Sequence, residues 1–329
     1  MGISIGIMGY GNLGRGVEQA VEQNPDMNLV AVFTRRNPES LRISNKQARV
    51  LHMDMAGEFI DGIDVMILCG GSATDLPLQG PCFARLFNTV DSYDTHARIP
   101  GYFAAVDKSA RTGGKTSAIS IGWDPGLFSL NRLLGEAVLP RGHEYTFWGR
   151  GISQGHSEAI RRVKGVKNAV QYTVPLEDAL KRIKKGETPD LTTKERHLRE
   201  CYVVAGEGAD LEGITRAIKT MPDYFAGYET KVIFISEEEF TRDHSNIPHG
   251  GFVIRSGQTG QNGAGNKQIM EFSIKLESNP QFTASILTAY ARAVYRLNNE
   301  GQIGAKTIFD IPPAYLSARS PGELRRTLL

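Results

Sequence analysis

The first third of the chain alternates short, nearly unbroken apolar runs with stretches of helical period. Residues 3–8, 29–33 and 64–69 are largely apolar on both faces, and residues 88–91 and 118–121 read as two further, shorter strands. Runs of that kind suit strands buried on both sides of a parallel sheet. Between the first two, Leu13, Val17, Ala20 and Val21 fall on one helical face, and Asn24-Pro25 stops it. Strand and helix in alternation predict an α/β, Rossmann-type doubly wound parallel sheet. From about residue 140 the style changes. Strand-like segments at 144–148, 170–174, 201–205, 230–235 and 270–276 are separated by helical, charge-rich stretches. They predict a second, α+β lobe built on a mostly antiparallel sheet with helices on one face. Residues 285–298 place Leu287, Tyr290, Ala291, Val294 and Leu297 on one side of an amphipathic helix, expected to dock on the first domain. The expected organisation is a nucleotide-binding domain over residues 1–121, completed by about 285–329, and a substrate-binding and dimerisation lobe over 122–284.

The first strand breaks into Gly9-Tyr10-Gly11-Asn12-Leu13-Gly14, a G-x-G-x-x-G turn opening a helix. Glycines there permit a sharp turn and a close approach of backbone to a dinucleotide pyrophosphate, whose charge the helix N-terminus favours. Twenty residues on, where an NAD enzyme carries an acidic residue for the ribose 2′-hydroxyl, the chain reads Thr34-Arg35-Arg36. A guanidinium suits a 2′-phosphate, so the expected cofactor is NADP(H). The turns after later strands lie on the same carboxyl edge, where open α/β sheets bind ligands. They supply further cofactor candidates: Cys69, Gly70, Gly71, Ser72, Ala73 and Thr74; then Ser92, Tyr93 and Asp94; then Gly122, Trp123, Asp124, Pro125 and Gly126. Asp94 could equally be a helix N-cap, and Trp123 could simply pack beneath a turn.

Composition narrows the class. Over 329 residues, 40% hydrophobic and 22% charged, the net charge is +2, which gives no electrostatic case for nucleic acid or an anionic membrane. Three widely spaced cysteines, Cys69, Cys82 and Cys201, form no C-x-x-C pair and read as free thiols in a reducing compartment, without a metal site. No run reaches the ~18 apolar residues of a membrane span, and no signal peptide is evident. The expectation is a soluble, cytoplasmic protein. Lys181, Arg182, Lys184 and Lys185 read as a solvated helix face, as do Arg161 and Arg162.

In the second lobe, residues 151–157 form a glycine-framed polar turn, and residues 247–251 present His249 in a tight loop. Arg199, leading into a strand, is a better ligand candidate than the helical arginines. Taken in order, the strings GYGNLGRG (9–16), TRR (34–36), CGGSATD (69–75), VDSYDTH (90–96), GWDPGLFSLNR (122–132), TFWG (146–149), ISQGHS (152–157), QYT (171–173), MPDYFAGYE (221–229) and PHGGFVI (248–254) resemble the NADP-dependent meso-diaminopimelate dehydrogenases of bacteria, from Gly6 to about Leu297. Ile152 stands where a longer apolar residue is expected, which touches pocket shape and not reaction type.

The resemblance implies oxidative deamination of the D-centre of meso-2,6-diaminopimelate, reversibly, in the lysine and cell-wall precursor pathway, by a homodimer. The substrate carries two carboxylates and two ammonium groups. Arg199 would grip one carboxylate, with Thr173, His249 and Asn279 adding donors at that end; Gln154 and Gly155 would fix the other end. Asp94, first, and Asp124, second, are candidates to take a proton from the reacting ammonium. Trp123 and Trp148 would wall the cavity. The alternatives are an NADP reductase of dihydrodipicolinate reductase or homoserine dehydrogenase type, or a non-catalytic NADP(H) sensor.

Overall fold

A computed structural model describes residues 2–222, 224–244, 246–260 and 265–329; Asp223, within the 221–229 string, lies outside them. The chain divides into two compact units, one of residues 1–130 and 280–329, the other of residues 131–279.

The first unit is built on strands β1 (Ile3–Met8), β2 (Met27–Thr34), β3 (Arg49–His52), β4 (Val65–Leu68), β5 (Asn88–Asp91) and β6 (Thr116–Ala118), with a last strand Gly304–Lys306. They form one seven-stranded sheet, ordered Gly304–Lys306, β6, β5, β4, β1, β2, β3. Every neighbouring pair in it is parallel. The strand order reverses at β1, so the switch point where such sheets bind ligands lies between the ends of β1 and β4. The helices α1 (Asn12–Glu22), α2 (Leu76–Ala84) and α3 (Ile99–Gly113) supply crossovers. A core of Met8, Phe33, Met66, Leu68, Phe83, Phe87 and Val106 lies against one face of the sheet. The apolar runs were apolar on both faces because their strands are covered on both.

The second unit holds two sheets where the sequence pattern predicts one. Strands β7 (Gly142–Trp148), β8 (Gly151–Ile152), β9 (Val166–Pro175), β10 (His197–Ala205), β11 (Glu229–Phe234), β12 (His249–Thr259) and β13 (Asn266–Leu276) sort into a four-stranded sheet β11-β10-β9-β8 and a three-stranded sheet β13-β12-β7. The β10–β11 pair is parallel and the remaining pairs antiparallel. Alternation gives each strand two faces but does not say which strands share a sheet. On the four-stranded sheet Ala169, Cys201 and Val203 bury one face with Ile160, Ile214 and Phe225, while Val170 and Tyr172 face the other way. The three-stranded sheet packs Tyr145, Phe147 and Ile254 on Ala179 and Ile183.

Several sequence expectations need correcting. Residues 119–121 follow β6 as irregular chain, because Ser120 takes a left-handed conformation, φ +56°, that no ladder accommodates. The predicted turn at 151–157 is β8 followed by the helix α5, with the preceding helix Leu127–Val138 as α4 and α5 spanning Gln154–Arg161. His249 opens the eleven-residue strand β12 and is no loop residue; Gly250 and Gly251 hid that strand from a propensity reading. The C-terminal amphipathic helix starts six residues earlier than predicted, at Asn279, and runs to Asn299. Thr95, not Asp94, holds the N-cap position of the short 3-10 turn after β5, and it makes no side-chain cap bond there.

Candidate active site

In the first unit the glycine turn is dictated atom by atom. Gly9 sits at φ +94°, and a Cβ on Gly14 would stand 2.2 Å from the Gly9 carbonyl oxygen. A Cβ on Gly11 would meet nothing within 4 Å. Gly11 is therefore not forced by packing; it keeps open space before α1, which begins there with no side-chain cap and no acidic residue in its first turn. Uncapped N–H donors beside an open approach fit a diphosphate. Asn12 and Leu13 begin that helix. Tyr10 is pinned below the turn: its hydroxyl donates to the buried Glu18, which also accepts the Asn45 amide at 2.7 Å.

The end of β2 carries the arginine pair. Arg36 Nη2 donates to the Tyr10 carbonyl at 2.7 Å, and its amide donates to Thr34 Oγ1 at 3.1 Å. Arg35 pairs with Asp75 at 2.8 Å across the switch point. Asp75 also accepts the Gly71 amide at 2.9 Å, which draws the turn after β4 toward the arginines. Gly70 sits close under the turn, where a Cβ would stand 2.7 Å from the Asp75 Cβ. Cys69 is half-buried, with its thiol pushed up by desolvation and its backbone beside Gly9; Ala73 and Thr74 complete the turn.

Two further loops join this edge. The Asp94 amide donates to Ser72 Oγ at 2.8 Å, which ties the loop after β5 to the turn after β4 and leaves the Asp94 carboxylate exposed. Ser92 is half-buried. The Tyr93 ring is turned into the core and stacks on Tyr102 at 4.0 Å, so only its backbone faces the edge loops. After β6, residues 122–126 close a tight loop: Leu127 N–H returns to the Gly122 carbonyl, and Gly126, φ +133°, has no room for a Cβ. Trp123 is buried edge-on against Phe128 at 5.3 Å, and Asp124 and Pro125 are half-buried on that loop. β5 and β6 are adjacent, so both candidate carboxylates stand on neighbouring strand ends.

The second unit contributes a row of residues across four strands. Gly151 on β8 pairs with Thr173 on β9, Thr173 with Arg199 on β10, and Arg199 with Thr230 on β11. Residues 169 and 171 share that face, which grades from apolar core to polar site within one strand. A Cβ on Gly151 would lie 2.5 Å from His249 Nδ1, so the His249 ring occupies the place a side chain would have taken. The register thus brings together Thr173, Arg199 and His249, as the sequence expectation had them.

Arg199 is 7% exposed and donates to Thr173 Oγ1; its guanidinium lies 3.9 Å over the Tyr228 ring. Among the described residues no carboxylate pairs with it, and its Nε has no hydrogen-bond partner. Burial pulls its pKa down, and its field, after burial itself, holds His156 and His197 near 4, so both imidazoles are neutral. Neutral His197 accepts the Trp148 amide at Nε2, 2.9 Å, and stacks on the half-open indole. Gln154 and Gly155 open α5 and are exposed. Asn279 donates its amide to the Ile247 carbonyl, beside the start of β12. Sequence reasoning missed Tyr228, Thr230, Gln171 and His197; cross-strand register, which alternation alone does not supply, is the signal that finds them. Among the described residues no cluster of His, Cys, Asp or Glu could hold a metal ion, and no helix is long and apolar enough to cross a membrane.

The family model described as Diaminopimelic acid dehydrogenase C-terminal domain matches residues 122–278. The meso-diaminopimelate D-dehydrogenase of Ureibacillus thermosphaericus is 63% identical over 327 residues, covering 99% of both chains. The chain belongs to the meso-diaminopimelate dehydrogenase family. Among solved members, a multiply substituted meso-diaminopimelate dehydrogenase of Clostridium tetani with DAP superposes with a TM-score of 0.92 at 55% identity, over 99% of this chain and 100% of that one. An engineered D-amino acid dehydrogenase bound to NADP+ gives 0.85 at 43%, over the full length of both. The Rossmann-type sheet and the separate antiparallel lobe are therefore those of the diaminopimelate dehydrogenases.

Proposed function

We propose that this protein oxidatively deaminates the D-centre of meso-2,6-diaminopimelate with NADP+, giving L-2-amino-6-oxopimelate and ammonia, reversibly. The observation that carries this is Arg199. A buried guanidinium without an anionic partner is costly, on the order of several kcal/mol, unless a ligand supplies the charge. A carboxylate in bidentate contact does so, and Thr173 in the same row and His249 beside Gly151 add donors. A dicarboxylate substrate suits a chain that offers this receiver.

The residues of the first unit fit NADP(H): open space before α1 for the diphosphate, and Arg35 and Arg36 at the end of β2 for a 2′-phosphate. Bound there, NADP+ supplies the hydride acceptor. Asp94, with Asp124 as second candidate, takes a proton from the substrate ammonium, because the nitrogen lone pair must be free before the α-hydrogen can leave as hydride. Water then adds to the substrate imine and ammonia departs; the oxo product is set to cyclise to tetrahydrodipicolinate. Trp123 and Trp148 exclude water while the transfer occurs. Residues 1–121 with about 285–329 serve as the cofactor domain, and 122–284 as the substrate and dimerisation lobe. The working form is a cytoplasmic homodimer.

The test is formation of reduced nicotinamide from meso-, L,L- and D,D-diaminopimelate, each with NADP+ and NAD+. Turnover confined to the meso isomer and NADP+ is expected. Cofactor binding without turnover of any isomer, or reductive turnover that needs no ammonia, overturns the assignment.

A further inference from the structure

β5 ends in Asp91, whose carboxyl is 1% exposed and surrounded by donors from three parts of the first unit. Oδ1 accepts the Tyr93 amide at 2.9 Å and the Ser120 amide at 3.2 Å. Oδ2 accepts the Tyr102 hydroxyl at 2.7 Å, and the Asp91 carbonyl accepts the Ile121 amide at 2.8 Å. Gly80 on α2 makes room for this, since a Cβ there would stand 2.0 Å from the Tyr102 oxygen.

Tyr93 is the residue before Asp94, and Ser120-Ile121 leads directly into the loop of Trp123 and Asp124. One buried side chain therefore holds both segments that carry the candidate proton acceptors. Ser120 sharpens the point. Its left-handed backbone is disfavoured for a residue with a Cβ, and its hydroxyl, 7% exposed as a residue, has no hydrogen-bond partner among the described residues. Nothing local rewards that conformation. The bond from its amide to Asp91 does.

We propose that Asp91 is a positioning residue: a buried acceptor that fixes the Asp94 segment and the Trp123-Asp124 segment to one anchor. This rests on the assignment of Asp94 and Asp124 to the reacting amine. Two carboxylates addressing one ammonium work only at a set spacing, and a displacement of about 1 Å in such a site costs on the order of 100-fold in rate. The role is one of geometry and not of charge. Burial pushes the Asp91 carboxyl up to about 6, against the hydrogen bonds that favour its ionised form.

The test sets shape against charge in the full-length enzyme with NADP+. Asp91→Asn keeps an acceptor of the same length for the two amides and loses the charge; Asp91→Glu keeps the charge and changes the reach. The expected result is a fall in kcat of less than about 10-fold for Asp91→Asn and on the order of 100-fold for Asp91→Glu. Both variants should still bind NADP+ in direct titration, which a general loss of structure would not allow. Should Asp91→Glu fail to fold, Asp91→Ser, too short to span both amides, takes its place with the same expected loss. A charge-keeping variant that turns over like wild type, or Asp91→Asn as impaired as Asp91→Glu, overturns the positioning role alone. A wild-type enzyme inactive on meso-diaminopimelate refutes the functional assignment, and the positioning role with it.

Discussion

At the residue scale, Arg199 is a buried cation that no carboxylate among the described residues neutralises, and the proposed substrate recognition rests on it. Arg199 lowers the stability of the protein it sits in, because its desolvation is compensated by little more than Thr173 and the Tyr228 ring. Arg199→Met should therefore leave the Tm equal to or above wild type while cutting kcat/KM for diaminopimelate at least about 30-fold, since removing one partner of a buried charge pair costs about 2–5 kcal/mol. NADP+ affinity should barely move. Calorimetry and steady-state kinetics on the same variant separate the two effects. His156 and His197 make a second residue-scale prediction. Burial, then Arg199, depresses both to about 4 from the ordinary imidazole value of 6.5, so the unfolded chain takes up protons first as pH falls. The stability they contribute is fully present above about 6.5 and is lost as pH falls toward about 4. Asp91, raised from 3.8 to about 6, runs the other way: its contribution is present below 3.8 and lost as pH rises through about 6. His197→Gln, which keeps an acceptor for the Trp148 amide, should reduce the acid loss of Tm between pH 6.5 and 4.

The element that matters most in the first unit is the β1–α1 turn. Gly14→Ala would drive a methyl to within 2.2 Å of the Gly9 carbonyl, and backbone there cannot give way cheaply. Loss of NADP+ binding is expected from direct titration, out of proportion to any change in Tm; Gly11→Ala, with open space around it, should instead weaken cofactor binding while the fold is untouched. At the end of β2 the two arginines are held differently, Arg36 by the Tyr10 carbonyl and Arg35 by Asp75. Replacing both with neutral residues should weaken NADP+ far more than NAD+; equal weakening would remove the 2′-phosphate argument. In the second unit the corresponding element is the cross-strand row of Gly151, Thr173, Arg199 and Thr230, with His249 in the space Gly151 leaves.

For the whole molecule, ligand binding to the folded state alone must raise its stability. NADP+ at about 100 times its Kd should add about 2.7 kcal/mol, and a shift in Tm that NAD+ at equal concentration does not give would report cofactor choice independently of turnover. The proposed homodimer is checked by light scattering across a dilution series. Its dissociation constant would also show how much of the measured stability belongs to association. One unit carries the glycine turn and the arginine pair, and the other carries Arg199.

Much of this was legible along the chain, for a physical reason. Buried parallel strands, the glycine turn and the arginine pair are local: each depends on residues within one strand–turn–helix, where steric room and hydrogen-bond supply are fixed by neighbours in sequence. The ten ordered strings identified the family on the same local basis. Tertiary structure alone decided what lies across strands. Pairing placed Gly151, Thr173, Arg199 and Thr230 in one row, split the second unit into two sheets and turned the supposed loop at His249 into a strand. It also buried Asp91 between two loops some thirty residues apart. Register and burial are set by which apolar faces find each other on folding, and no window of sequence contains that choice.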